Sequence, residues 1–479
     1  MKTRDLLAIT VFLLALQFGQ GLLAAEERGL LQALIARSNE LLEAYSSYQL
    51  ELEALESQFG AYDQSLLEPL DSLIALKMET GDYQQVAVLQ ERQLQLIRTT
   101  MGLEHPEVIP VLQDIIANQI RLQAWQAVSD RLEHIRDVVG ANSSFSTEDL
   151  LSAIDDQAYW HLSQVYLEDR RSRSRNFMLA RSLYRQAASL AEDNYGSESP
   201  ELIPWLYQRA VGEYHLVKFL NASDGLGFDT RDALMAEDGR ARLQSSNRVF
   251  IDVDALFGPF SNIAVVVEGH ELGYSYLRQG LGFINQIEEI AAAEGDAEAL
   301  AMAGIYRGDF QLLRDNGTAF REYREARELL REAGIADSKI EALFSQPSVI
   351  PVARYFTRFE ELLSHQAETT QQATAVPKET IHVGELIAWD ESLPAIRKPH
   401  RGNSILNVDL AYNRLDLSFT INSRGKVSAV KVLGAEPDER SVRRKALRAL
   451  RDVQFRPAIV GDKATRLRDV QIRYLFLQE

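Results

Sequence analysis

Apolar positions recur every three to four residues through most of the first 360 positions and every second residue near the C-terminus, which divides the chain into a long helical part and a short sheet-bearing part. In the helical part Tyr83, Val86, Leu89 and Leu96 are echoed by Phe177, Ala180, Leu183 and Leu190, with Trp125 and Val128 between them. Tyr83 and Trp125 are 42 residues apart, and Trp125 and Phe177 are 52 apart. The difference implies an insertion, and Glu168–Arg175 (EDRRSRSR) is its expected place. Two connecting stretches nearly coincide, Gly102–Leu112 (GLEHPEVIPVL) and Gly196–Leu206 (GSESPELIPWL), and a looser copy begins at Gly60. In each, glycine is placed to end one helix and proline to open the next. Helices of this length are marginal alone and must bury one face on a neighbour, so a repeat of helical hairpins predicts a stacked solenoid.

The register loosens after Leu220. Turn formers crowd Asn221–Asp229 and Phe257–Ser261, and helical periodicity resumes over Ile263–Ala293, Ala297–Arg314 and Phe320–Ala333. Ser364–Thr380 (SHQAETTQQATAVPKET) has few apolar residues and is expected to be a linker. Beyond it Leu415, Leu417, Phe419 and Ile421 alternate as a strand, Asn422–Lys426 predicts a tight hairpin, and Val427, Val430 and Val432 form the return. Glu439–Arg451 is a basic amphipathic helix with Val442, Ala446, Leu447 and Leu450 as its buried stripe, and Leu467–Leu477 alternates as a closing strand. The expected organisation is a signal peptide at 1–25, helical repeats at 26–220, degenerate repeats or a helical cap at 221–363, a linker at 364–385 and a strand-strand-helix-strand domain at 386–479.

Charge sharpens this division. The 479 residues carry a net charge of −18, yet Arg397–Glu479 holds 18 basic against 9 acidic residues and is at +9, leaving −27 on the remainder. An acidic balance of this size argues against nucleic acid as the main partner. The absence of cysteine excludes disulfide frameworks, thiolate metal sites and cysteine nucleophiles. Lys2 and Arg4 precede an 11-residue apolar run, Leu6–Leu16, with small Gly19 and Gly21 beyond it, the layout of a secretory signal and too short to span a bilayer. The expected compartment is the periplasm. If residues 1–25 are retained as an anchor, the chain instead faces the periplasm from the inner membrane and touches the membrane there alone.

The repeats resemble tetratricopeptide (TPR) repeats, especially the 42-residue kinesin light chain-like type. The resemblance rests on Gly81 and Tyr83 at the intra-repeat turn, on Phe177 and Ala180 in the second helix of a later unit, and on the paired linkers. The tail resembles the C-terminal domain of the TonB energy-transducer family, on Phe419–Val427 with Gly425 at the turn, on Val430–Leu433, and on Ala446–Leu450 followed by Phe455 and Pro457. Together they imply a multidomain protein of the α plus α+β class, an all-α TPR-like solenoid followed by a small β-β-α-β domain. The second resemblance also implies that an extended peptide of an outer-membrane receptor adds a strand to the sheet. The docking edge would be the last strand, Asp469, Val470, Gln471, Ile472, Arg473, Tyr474 and Leu475. The proline-rich spacer and N-terminal histidine of the transducers are missing, so the first expectation is an adaptor for envelope proteins and the alternative is an anchored transducer.

No motif points to turnover. His270-Glu271 has tyrosine at position 274 where a zinc-protease helix needs its second histidine, and Gly225/Gly227 and Gly280/Gly282 lack the third glycine of a dinucleotide loop. The basic runs Arg170–Arg175 and Arg443–Arg451 read first as a solvated loop and a solvated helix face. The sequence therefore predicts no catalytic residue, no cofactor and no metal ligand.

Overall fold

The computed structural model describes residues 25–168, 170–222, 226–245, 261–371, 381–387, 396–397, 403–408, 412–451 and 453–477. The signal-peptide expectation lies outside them, except for Ala25. No helix among the described residues is long and apolar enough to cross a membrane. The chain forms two compact units, 1–124 and 125–479.

The first unit contains α1 (Ala25–Phe59), α2 (Leu67–Glu79), α3 (Tyr83–Met101) and α4 (Val108–Arg121). Its turns follow from local chemistry. Asp63 caps the short 3-10 turn before α2 by accepting from the Ser65 amide, and Asp82 caps α3 by accepting from the Gln85 amide. Gly60, Gly81 and Gly102 all take positive φ at helix ends, where any side chain would be strained. Leu52 of α1 meets Leu66, Leu70, Leu73, Leu89 and Leu96 in one core. The Asn118 side-chain amide of α4 donates to the Tyr83 carbonyl, at 3.0 Å, and so ties the start of α3 to the end of α4 at the open end of their hairpin. Val86 is fully buried, and Gln93 enters the interior by donating to Asp71.

The second unit begins with α5 (Trp125–Ala141), α6 (Thr147–Leu167), α7 (Arg170–Tyr195) and α8 (Ile203–Leu220). Ser146 and Asp149 form a reciprocal capping box at the start of α6. Trp160 is fully buried and donates its indole N–H to Ser129, at 3.0 Å, joining α6 to α5. The insertion expected as a loop at Glu168–Arg175 is helical from Arg170. It lengthens α6 to 21 residues and α7 to 26. The reason is burial: Arg173 and Ser174 are inside, and Ser174 shares a 2.9 Å hydroxyl contact with Thr230 of α9 (Leu226–Ser245). The turn-rich stretch expected at Asn221–Asp229 is helical from Leu226, while positions 223–225 and 246–260, which take in most of Phe257–Ser261, lie outside the described residues.

Three further helices, α10 (Ser261–Glu294), α11 (Ala297–Leu313) and α12 (Ala319–Glu332), run within two residues of the periodic stretches. α10 returns to pack along α8, α11 packs on α10, and α12 on α11. Small side chains allow the close approach of α11 and α12, since a Cβ at Gly308 would collide with the Tyr323 ring. Then come α13 (Asp337–Phe344), β1 (Ser348–Ile350) and α14 (Phe359–Gln371). The linker expected at 364–385 is thus not one continuous spacer: its first part is α14, and it ends within β2 (His382–Ile387).

The sheet region comprises β2, β3 (Ile396–Arg397), β4 (Tyr412–Ile421), β5 (Val427–Glu436), α15 (Arg440–Arg451), the short strands β6 (Gln454–Arg456), β7 (Ala458–Val460) and β8 (Lys463–Thr465), and β9 (Leu467–Leu477). Five strands pair in the order β3-β2-β9-β4-β5, with β9 antiparallel to β4 and parallel to β2. Leu415, Leu417, Phe419, Ile421, Val470 and Ile472 face Val442, Ala446 and Leu450 of α15 in one core.

Candidate protein-docking surface

The β4–β5 hairpin is built by Asn422. Its side-chain oxygen accepts from the amides of Arg424 and Lys426, at 2.8 and 3.0 Å, and its carbonyl accepts from Gly425 at 2.9 Å. Gly425 has φ +75°, and a Cβ there would collide with the Phe455 carbonyl. The Phe455 amide donates back to the Gly425 carbonyl at 2.9 Å, and its ring lies 5.4 Å from that of Phe419. Gly425 and Phe455 therefore meet at one corner of the sheet, and Pro457, two residues beyond Phe455, is buried. Gly81 and Tyr83 sit at a hairpin turn of the first unit. Phe177 and Ala180 are buried in α7, where Phe177 stacks on Phe219 at 4.4 Å.

The expected docking edge is not an edge. Asp469–Leu475 lies within β9, which has β4 on one side and β2 on the other; His382, Glu385, Leu386 and Ile387 take the registers of Gln471, Arg473, Tyr474 and Leu475. The Gln471 amide donates to the Ile381 carbonyl at 2.8 Å. Val470 and Ile472 are fully buried, Tyr474 nearly so, and Leu475 packs into a cluster with Val165, Tyr166 and Phe177. Arg473 binds Asp416 of β4 at 2.9 Å and lies 3.8 Å from Glu385 of β2, so charge as well as backbone closes this side. Burial, helped by the neighbouring Arg473, holds His382 below its ordinary pKa, and its Nδ1 accepts from the Gly384 amide at 3.1 Å. The sequence gives little signal of this added strand: the apolar residues of His382–Ile387 (HVGELI) fall at 383, 386 and 387, out of step with a two-residue period, and the register shifts between His382 and Glu385.

The sheet is also not free of the helices. Arg456 of β6 reaches Asp309 of α11 with two bonds, Nε to Oδ1 at 2.8 Å and Nη2 to Oδ2 at 2.6 Å, and both side chains are 1% exposed. The Tyr323 hydroxyl donates to the same carboxylate at 2.7 Å. Burial alone would pull the guanidinium down, but Asp309 outweighs it and holds Arg456 above its ordinary pKa. β1, from the helical side, pairs antiparallel with β6. Val349 of β1 belongs to the sheet core and Ile459 of β7 to the helical core. Arg327 of α12 donates to the Gly461 carbonyl, and Lys426 pairs with Asp315 at 2.9 Å.

What stays open is β5. Among the described residues no strand pairs with its outer side, and its side chains are exposed or half-buried. Two register shifts against β4 leave extra residues in β5, one near Ala429, which takes φ +52°, and one at Leu433, which is 54% exposed. Between β5 and α15 lies a cavity of about 510 Å3 lined by Val427, Ser428, Ala429, Val430, Leu447 and Arg451. Leu447, expected in the buried stripe of the helix, is half-buried on this groove instead. Among the described residues Arg440, Arg444, Arg451 and Lys431 are exposed and form no ion pair, whereas Arg443 pairs with Asp438. No cluster of metal-binding side chains occurs among the described residues.

No family model matches the chain, and no curated protein matches it. Solved structures similar to it include two crystal structures of a kinesin light chain-type protein of Podosopora anserina with nearly identical TPR-like repeats. They are 15% and 14% identical, cover 46% and 47% of this chain and 96% and 97% of the other, and both have a TM-score of 0.27. A third is BtubC (BKLC) from P. vanneervenii, 13% identical over 63% of this chain and 91% of the other, with a TM-score of 0.26. Scores at this level do not establish a common fold, and the hairpins described above stand on their own geometry.

Proposed function

We propose that this chain is an exported, non-enzymatic adaptor that brings proteins of the bacterial cell envelope together. The observation that carries the reading is the fusion of two kinds of protein-binding architecture within 125–479: stacked helical hairpins and a sheet with one open long strand, joined by the buried Asp309–Arg456 pair. Helical hairpins that bury one face on each neighbour leave the other available to a partner, and an open strand offers backbone or a groove. Export rests on Lys2, Arg4 and the apolar run Leu6–Leu16. The alternative, an anchored transducer of force, needs a terminal domain that can travel, and the seating of this sheet on α11, α12 and β1 weighs against it.

The test is the chain as a Gram-negative cell processes it. Fractionation with N-terminal sequencing should place the protein in the periplasm, starting near Leu22 or Glu26, and in-cell cross-linking should give discrete protein adducts. A membrane-bound protein retaining Met1 would favour the transducer, and an unprocessed cytoplasmic protein would overturn the export reading.

A further inference from the structure

We propose that the groove between β5 and α15 is a docking site for an extended acidic segment of a partner protein, anchored by one apolar side chain. The cavity supplies the anchor site. Val427, Val430 and Leu447 give it apolar walls, and the left-handed backbone at Ala429 bulges β5 at its mouth. Volume of about 510 Å3 accommodates a leucine-sized group with room for flanking backbone. The charge comes from the same elements: from Lys426 to Arg451 the chain has eight basic residues and three acidic ones. Arg451 lines the cavity itself, and Lys431, Arg440 and Arg444 are exposed and unpaired among the described residues.

The strand decides against a second copy. Its own charges, Lys431 and Glu436, cancel, so backbone pairing is what edge-to-edge association on β5 would depend on. The two bulges interrupt the ladder a second copy would need along its length, which is a common way of preventing sheet continuation. A short acidic segment needs no long ladder. It needs one apolar residue at the cavity and carboxylates facing the arginines. An anionic membrane would answer to the same positive charge but has no use for a recessed pocket beside a strand.

This rests on the adaptor reading only for its setting, and it can fail while export and processing stand. The probe is a fluorescein-labelled peptide of alternating glutamate and glycine with one central leucine, titrated by anisotropy into the full chain. Binding should weaken at least tenfold when that leucine becomes glycine, when Ser428→Trp fills the cavity mouth, and when Arg451→Glu reverses its charge, with both variants retaining the circular dichroism of the parent. Raising the salt should weaken it further, and a lysine version of the peptide should not bind. Equal binding of the leucine and glycine peptides would overturn the groove, because adsorption to a basic helix would then suffice. The proposal also fails if phosphatidylglycerol vesicles bind in an Arg451-dependent way while the peptide does not. Self-association that Ser428→Trp abolishes, with no peptide binding, would assign the face to a second copy.

Discussion

Asp309 and Arg456 are 147 positions apart in sequence, and nothing in either local pattern announces that they meet. Desolvating both charges is costly, and only the two-bond geometry with the Tyr323 hydroxyl recovers it. Arg456→Met should therefore destabilise the protein by about 3–5 kcal/mol in urea unfolding, because Asp309 is left buried and charged. Adding Asp309→Leu should recover most of that loss. Two glycines test a different residue-scale claim. Both Gly81 and Gly425 have positive φ, but a Cβ meets nothing at Gly81 and the Phe455 carbonyl at Gly425. Alanine should cost about 1 kcal/mol at the first from backbone strain alone, and clearly more at the second, about 3 kcal/mol, measured the same way. His215 gives the pH dependence. Burial, with Lys218 nearby, pushes its pKa down to about 4, so folding favours the neutral ring. The contribution is full above the ordinary histidine value of about 6.5 and is lost as pH falls towards 4, by at most about 3 kcal/mol. Burial lowers His161 in the same direction. The urea midpoint should fall over that range in the parent, and fall less in His215→Gln.

At the level of elements, β9 and β5 reverse the expected roles. Alternation identifies β9 as a strand, since Val470, Ile472 and Tyr474 share one face of the sheet, and the hairpin at Asn422–Lys426 identifies β5 as the return of β4. Alternation says nothing about neighbours, however, and the strand that closes β9 comes from beyond a stretch whose composition reads as linker. Amide exchange should separate them: Val470–Tyr474 should exchange only on global unfolding, while outward amides of β5 should exchange orders of magnitude faster. The reverse pattern would restore β9 as the docking edge. The helices show the same division between what is local and what is not. Their periods give α10, α11 and α12 to within two residues, because the helical spacing of apolar positions is written within each segment, even in α11, which is buried on nearly every face. The extension of α7 was hidden because EDRRSRSR has the composition of a loop. The burial of Arg173 and Ser174, the latter against Thr230 56 residues away, is a tertiary contact that composition does not carry. Leu447 was misassigned for a related reason: four apolar positions define a stripe, but its margin faces a groove that exists only after β5 is bulged.

For 125–479 as a whole, the question is what makes 355 residues behave together, since single cores seldom grow beyond about 250–300 residues. The unit contains several apolar clusters, and the sheet region contributes to more than one: Ile459 to the helical core and Leu475 to the cluster with α6, α7, α8 and α9, while Val349 enters the sheet core from the other direction. Each buried aliphatic side chain is worth about 1.5–3 kcal/mol, and breaking the Asp309–Arg456 pair about 3–5 kcal/mol. Detaching the sheet alone would thus cost on the order of 10 kcal/mol before any strand opens, which is within the whole stability of an ordinary domain. Separation then has no advantage over global unfolding. Native-state exchange in low denaturant should give the amides of Val470 and Ile472 in the sheet the same opening free energy as those of Ile305 and Phe310 in α11. Arg456→Met should lower both sets together, by the amount seen in bulk unfolding. If the variant lowers only the sheet amides, the sheet is a separately stable domain resting on the helices, and an adaptor built on a rigid platform gives way to one with a detachable head.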